Sequence, residues 1–154
     1  MAIEIERKFL VIGEAWRDVA RPGVAMVQAY LGGTRASTRV RIAGAQAWLN
    51  LKSQTLGNTR LEFEYEIPVA DAQQIVEHLS EGPVVAKTRH EVPVGAHCFE
   101  VDVFAGDNAG LIVAEIELGH PDEDFLRPDW LGAEVTDDAR YYNAALARHP
   151  YCRW

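Results

Sequence analysis

Charge and hydrophobicity alternate with a period of two through most of this chain, and that rhythm restricts it to β structure. The first segment, Ala2 to Val11, sets the pattern. Glu4, Glu6 and Lys8 are interleaved with Ile3, Ile5, Phe9 and Val11. Successive side chains of a strand face opposite ways, so the three charged residues share a face, with neighbours about 6.6 Å apart. Two carboxylates at that spacing repel. Solvent tolerates them, and a divalent cation between them makes them useful.

The same reading applied along the chain predicts further strands over Val24 to Leu31, Ser37 to Ile42, Gln46 to Lys52, Arg60 to Val69, Val84 to Val92, His97 to Phe104 and Leu111 to Leu118. Gly44 lies between the third and fourth, which pair as a hairpin. A helical turn is expected over Gly13 to Arg17. A helix is expected over Asp71 to Leu79, with Asp71 as its cap and Gly82-Pro83 as its stop. Gln54 to Asn58 is a loop. Pro121 to Arg127 reads as a short helix, Asp129 to Val135 as irregular, and Asp137 to Arg148 as a helix capped by Thr136 or Asp137. No repeat, linker or low-complexity tract divides the chain, so residues 1–154 form a single domain. About eight strands on short turns predict a mainly β fold (α+β), a closed eight-stranded antiparallel barrel with a few flanking helices.

Nearly every strand has one apolar face and one charged face. Arg39 and Arg41 lie opposite Val40 and Ile42, and Lys52 opposite Leu49 and Leu51. Arg60, Glu62 and Glu64 oppose Leu61, Phe63 and Tyr65. Lys87 pairs with Arg89, Glu100 with Asp102, and Glu115 with Glu117. Two architectures fit: an open sheet with one face in water, or a barrel lined with charge. The signs come in blocks rather than interspersed, and like charges side by side cost stability unless a ligand neutralises them. Carboxylate blocks suit divalent cations, and arginine blocks suit phosphates. A metal-chelated polyphosphate needs both.

Composition narrows the remaining classes. The 154 residues carry a formal charge of −8, which argues against nucleic acid or an anionic membrane as partner. No apolar run is long enough to span a bilayer. Glu4 and Glu6 interrupt what would be the apolar part of a signal peptide, so a cytoplasmic address follows by default. Cys98 and Cys152 lack metal-finger spacing and read as free thiols. The histidines His78, His90, His97, His120 and His149 have no paired ligand spacing. Gly32-Gly33 is a turn, not a phosphate loop. Trp16, Trp48, Trp130 and Trp154 read as packing residues, although Trp130 and Tyr141 suit the mouth of a tunnel.

The Glu4-x-Glu6-x-Lys8 strand resembles the signature of the CYTH superfamily, the triphosphate tunnel metalloenzymes. Arg39-Val40-Arg41, Leu51-Lys52, Glu62-Phe63-Glu64, Lys87-Thr88-Arg89, Val101-Asp102-Val103-Phe104 and Glu115-Ile116-Glu117 follow in that family's order. The stretch Glu134 to Tyr141 resembles the short bacterial inorganic tripolyphosphatases. The resemblance implies an eight-stranded tunnel that takes a triphosphate with Mg²⁺ or Mn²⁺. It implies metal ligation by Glu4, Glu6, Asp102, Glu115 and Glu117, with Glu62 and Glu64 completing an acidic wall. Phosphate oxygens would fall to Lys8, Arg39, Arg41, Lys52, Arg60, Lys87 and Arg89. Lys8 and Tyr30 match a catalytic dyad. Ser37-Thr38 depart from the pattern before Arg39. Tyr142 and Ala144 stand where lysines are expected, which reads as surface variation.

The favoured expectation is hydrolysis of inorganic triphosphate, with a second metal or the Lys8–Tyr30 pair activating water. Crowded by Arg39, Arg41 and a metal, Lys8 is expected to lose proton affinity, although Glu4 and Glu6 pull the other way until metal neutralises them. Activity would then favour alkaline pH. The alternatives are a class IV adenylate cyclase, a thiamine triphosphatase and a non-catalytic polyphosphate-binding module. A homodimer is left open, as are disorder or a dimer contact for the tail His149 to Trp154.

Overall fold

The structure, a computed structural model, describes residues 2–32, 35–54 and 59–154. Gly33 of the expected glycine turn and residues 55–58 of the expected loop lie outside the described residues. The strands are β1 (Ala2–Val11), β2 (Val24–Tyr30), β3 (Ala36–Ala43), β4 (Gln46–Ser53), β5 (Thr59–Ile67), β6 (Val85–Val94), β7 (His97–Phe104), β8 (Ile112–Glu117) and β9 (Leu131–Glu134). The α-helices among the described residues are α1 (Val69–Leu79) and α2 (Asn143–Arg148). None is long and apolar enough to cross a membrane.

All strand pairs are antiparallel, in the order β5-β4-β3-β2-β6-β7-β8-β1-β9. β1 also pairs with β5, and this closes eight strands into a barrel. The closure is staggered. Residues 2–5 of β1 face β5, and residues 6–10 face β8. β9 adds to the far end of β1, where Phe9 and Val11 pair with Glu134 and Leu131. The hairpin of β3 and β4 turns at Gly44, whose φ of 58° is left-handed and costs glycine nothing.

The apolar faces of the strands point outward and are covered. Ile5, Phe9, Phe99, Val101 and Ile116 form one core under Trp16 and Trp130. Phe125 closes over it, edge-on to Phe9 at 5.9 Å and to Phe99 at 6.1 Å. α1 covers a second core at β3 and β4, where Val40 and Ala47 meet Ala72, Ile75 and Val76. A third core lies inside the barrel. Val85, Phe104 and Val113, with Leu10 and Tyr30 against them, meet Leu146 and Ala147 of α2. These residues continue the inward alternation of their strands, so apolar packing takes over from charge at one end of the interior.

Five local expectations are corrected. α1 begins at Val69, after Pro68, rather than at Asp71, which lies in its first turn. Residues 121–127 form a turn and irregular chain, with Glu123 drawn to the Gly119 amide at 2.6 Å and to His97 at 2.7 Å. Residues 131–134 are a strand. The expected helix over 137–148 is a single 3₁₀ turn, Ala139–Tyr141, capped by Asp138, then an extended Tyr142, then α2. The tail also folds back. The Tyr151 amide donates to Asn108 Oδ1 at 2.8 Å, and the Trp154 ring lies edge-on to Tyr141 and Tyr151 at 5.0 Å from each. Trp130 belongs to the outer core, 5.3 Å from Phe99, and not to a tunnel mouth.

Phe99 is fully buried between Phe125 and Trp130. Truncation to Ala leaves a cavity that two aromatic edges cannot fill. The expected loss is about 3–5 kcal/mol, read as a lowered urea midpoint with unchanged slope.

Candidate active site

The inward faces of all eight barrel strands, charged on every strand but β2, open onto one cavity of about 480 Å³. β1 contributes Glu4, Glu6 and Lys8, and β2 contributes Tyr30. β3 contributes Arg39 and Arg41 with Ser37 and Thr38. β4 supplies Asn50 and Lys52, and β5 supplies Arg60, Glu62 and Glu64. Arg89 comes from β6, Glu100 from β7, and Glu115 and Glu117 from β8. Tyr142, Asn143, Ala144 and Arg148 line it from the C-terminal segment. Of the residues expected to form the site, Lys87 and Asp102 alone do not open on the cavity. They are packed into its wall at 3% and 0% exposure.

Ion pairs fill the interior in two groups. In the first, Lys52 Nζ contacts both oxygens of Glu4, at 2.7 and 2.8 Å. Arg60 reaches Glu4 at 3.4 Å and Glu6 at 3.3 Å. Glu6 and Glu117 are direct cross-strand partners. Burial, with Glu115 and Glu4 nearby, pushes the Glu6 carboxyl up to about 7. Burial also pushes Glu117 up, aided by Glu4 and Glu62. These carboxylates lack sufficient positive charge.

In the second group, Lys8 Nζ lies 3.1 Å from Glu115 and donates to the Tyr141 carbonyl at 3.2 Å. Arg89 grips Asp102 with a fork at 2.7 and 2.8 Å and also pairs with Glu100. Lys87 reaches Asp102 at 2.6 Å and Asn143 Oδ1 at 3.3 Å. Asn143 also accepts from the buried Gln28 amide at 2.8 Å. The C-terminal segment is therefore bonded to the tunnel floor.

The loss of proton affinity expected at Lys8 concerns the metal-bound site; without metal the carboxylates prevail. Burial alone favours the neutral amine, but Glu115 and Glu6 outweigh it and raise the pKa. Lys8 is an ammonium in the metal-free chain. Burial raises the Tyr30 phenol, against the pull of Arg39, which hydrogen-bonds it. Tyr30 is thus a neutral phenol oriented by Arg39, its direct cross-strand partner.

Arg39 and Arg41 each bury an Nε with no acceptor, and Asn50 buries an unpaired Oδ1. Unsatisfied buried donors on cations are costly and call for an anionic ligand. The donor chemistry also fits a hard divalent cation, since Glu4, Glu6 and Glu117 offer only carboxylate oxygens beside one another. Among the described residues no group of three His, Cys, Asp or Glu side chains already converges on one point. Asp102 and Glu115 are committed to Lys87, Arg89 and Lys8.

Three contributors escaped the sequence reading, which placed Glu100 on the charged face with Asp102 but gave it no role. Asn50 shares the inward face of Lys52 by simple alternation, so it was open to inference. Asn143 and Arg148 were not, because the path of the chain after Thr136 carries no period. Tyr142 and Ala144 are corrected from surface variation to cavity lining. The Tyr142 ring stands 5.7 Å from Lys8 Nζ, and its hydroxyl donates to the Thr136 carbonyl at 2.9 Å.

A closed antiparallel barrel whose interior holds both signs of charge around one cavity is a tunnel-type β-barrel built for a charged ligand. The chain belongs to the CYTH family, whose domain model matches residues 2–147. A protein of Acetivibrio thermocellus named inorganic triphosphatase is 46% identical over 154 residues, covering 98% of this chain and 97% of its own. One of the same name from Nitrosomonas europaea is 39% identical over 150 residues, covering 94% and 96%. The solved inorganic triphosphatase NE1496 superposes with a TM-score of 0.66 at 36% identity, covering 96% of this chain and 95% of that one. A Pyrococcus furiosus protein at 19% identity shares the fold, with a TM-score of 0.60 over 75% of this chain and 78% of its own.

The Asp102 cluster is testable through stability. Lys87 and Arg89 hold the Asp102 carboxyl below its ordinary value of 3.8 despite burial. Its contribution is therefore present above about pH 4 and is lost as pH falls through the depressed pKa. Asp102→Asn leaves the buried Lys87 without its carboxylate partner and takes the bidentate acceptor from Arg89. The expected cost is about 3–5 kcal/mol at pH 7, shrinking as pH is lowered below 4, in denaturant titrations across pH.

Proposed function

We propose that this chain is a divalent-cation-dependent triphosphatase that hydrolyses inorganic triphosphate to pyrophosphate and orthophosphate. The observation that carries the reading is the pair of β3 guanidiniums that line the cavity, each with a buried Nε that has no acceptor. The two relatives named inorganic triphosphatase, aligned over nearly the whole chain, support it.

In this reading Arg39, Arg41, Lys52, Arg60, Arg89 and Lys8 bind the phosphate oxygens. Each exchanges a carboxylate or an empty position for a phosphate, so the interior gains charge balance as the ligand enters. Lys87 acts behind them, holding Asp102 and through it Arg89. Glu4, Glu6 and Glu117 would hold Mg²⁺ or Mn²⁺, and Glu115 and Asp102 serve the cations of the wall. A bound divalent ion supplies positive charge to the phosphoryl oxygens and lowers the pKa of water at neutral pH. Water attacks a terminal phosphorus in line with the departing pyrophosphate, and the guanidiniums offset the charge spread over the equatorial oxygens. Lys8 enters as an ammonium that clamps a phosphoryl oxygen beside Glu115. It can accept a proton from water only after losing its own, which its raised proton affinity defers to alkaline pH.

A cyclase would need a seat for a nucleobase. The aromatic residues lining the cavity among those described are Tyr30 and Tyr142, and both are bonded elsewhere.

The test is orthophosphate release from inorganic triphosphate, ATP and thiamine triphosphate, with Mg²⁺ or Mn²⁺ and with chelator. Release is expected to be fastest from inorganic triphosphate and absent with chelator. Arg39→Ala and Lys8→Ala are each expected to lower kcat/KM by about 10²–10³-fold. Cyclic AMP and pyrophosphate from ATP, without orthophosphate, would replace this reading with the cyclase. A rate independent of pH from neutral to alkaline leaves Lys8 as a clamp and removes it as a base.

A further inference from the structure

Asn50 is an uncharged residue at the centre of a charged wall. Its side chain lies on the tunnel face of β4, and the residue is 1% exposed. Nδ2 donates to Glu62 Oε1 at 2.6 Å and to Glu64 Oε2 at 3.0 Å. An amide nitrogen carries two hydrogens, so one atom serves both carboxylates. The same contacts fix how the amide is turned, since the flipped form would set its carbonyl oxygen against two carboxylates.

Arg41 competes for one of these atoms. Its Nη2 approaches the same Glu64 Oε2, but at 3.3 Å. A charge-assisted bond between guanidinium and carboxylate normally closes to about 2.7–2.9 Å. Here the neutral amide makes the shorter contact and the cation the longer one. Arg41 keeps a buried Nε with no acceptor, and so does Arg39, which faces Asn50 directly across the β3–β4 ladder.

A cation already closed on a carboxylate must break that pair before it binds phosphate, and only the difference between the two appears as affinity. We propose that Asn50 is a positioning residue that holds Glu64 away from Arg41, so that the β3 guanidiniums meet phosphate oxygens under-neutralised. This rests on the triphosphate reading above and names the device that keeps those guanidiniums available.

The test is calorimetric binding of inorganic tripolyphosphate to the full chain with chelator present, so that hydrolysis does not enter. Asn50→Ala removes both donors and lets Glu64 close on Arg41. Affinity is expected to fall by about five- to tenfold, the scale of the net contribution of one hydrogen bond. With Mg²⁺, KM is expected to rise by the same factor while kcat stays within about twofold. In a Glu64→Gln background the Asn50→Ala effect is expected to vanish, because the carboxylate it releases is no longer there. Equal losses in both backgrounds would assign Asn50 a packing role and overturn the proposal, as would undiminished affinity in Asn50→Ala. Should that variant not fold, Asn50→Ser is read by the same criteria. If the unsubstituted protein neither binds tripolyphosphate with chelator nor releases orthophosphate from it with Mg²⁺ or Mn²⁺, the substrate reading fails and this inference with it; binding absent but release present leaves the KM comparison to decide. Failure of both is distinct from wild-type binding that Asn50→Ala leaves intact.

Discussion

Everything in this structure depends on β1 being paired along both edges. Its first half bonds β5 and its second half bonds β8, so one ten-residue strand converts a sheet into a barrel. An open sheet would leave the charged face in water, where blocks of like sign do little. Closure turns that face inward and makes every charge a neighbour of charges on other strands. The pairing of Lys52 with Glu4 and of Arg60 with Glu4 and Glu6 exists because the barrel is shut, since β4 and β5 would otherwise lie at the far end of the sheet from β1.

Closure brings a large desolvation cost, and the interior answers it unevenly. Asp102 sits fully buried between Lys87 and Arg89 and is satisfied. Such a cluster gives little net stability, but removing one member leaves an uncompensated ion. Elsewhere the balance is incomplete. Glu6 and Glu117 have too little positive charge near them, and Arg39 and Arg41 keep donors without acceptors. Lys87 and Asp102 are paired inside the wall, whereas Glu6, Glu117, Arg39 and Arg41 line the cavity with their charge incompletely met. That division separates residues that maintain the barrel from residues available to a ligand.

Alternation made the eight barrel strands legible, because a half-buried strand writes its two faces into the sequence. It also placed Glu4, Lys8, Arg39 and Lys52 on a common face without any structure. β9 left no such trace. It is four residues long and contains Gly132, and it is extended because β1 offers it an edge. The helix expected over 137–148 failed for a similar reason. Tyr142 is extended there, with ψ at 138°, while Lys8 holds the Tyr141 carbonyl and the Tyr142 hydroxyl turns back to Thr136. Tertiary bonds override local propensity at that point. The apolar end of the tunnel was written in Leu10, Val85 and Val113, each two residues from a charge on the same face. It was obscured because the charges on those strands dominate the pattern.

The staggered pairing of β1 also has a consequence for synthesis. The strand leads the other eight in chain order, yet its partners include Glu115, Glu117 and Glu134. Arg7 and Glu134, bonded at 2.6 and 2.7 Å, are separated by 127 positions. Contacts that distant are slow to form, because the intervening loop must be ordered before they contribute. On the ribosome, the segment with alternating isoleucine and glutamate emerges first and waits for nearly the whole chain. During that interval its edges are unpaired and its apolar side is uncovered. The charges of Glu4, Glu6, Arg7 and Lys8 then have a second use: they keep a waiting strand soluble before they line a tunnel.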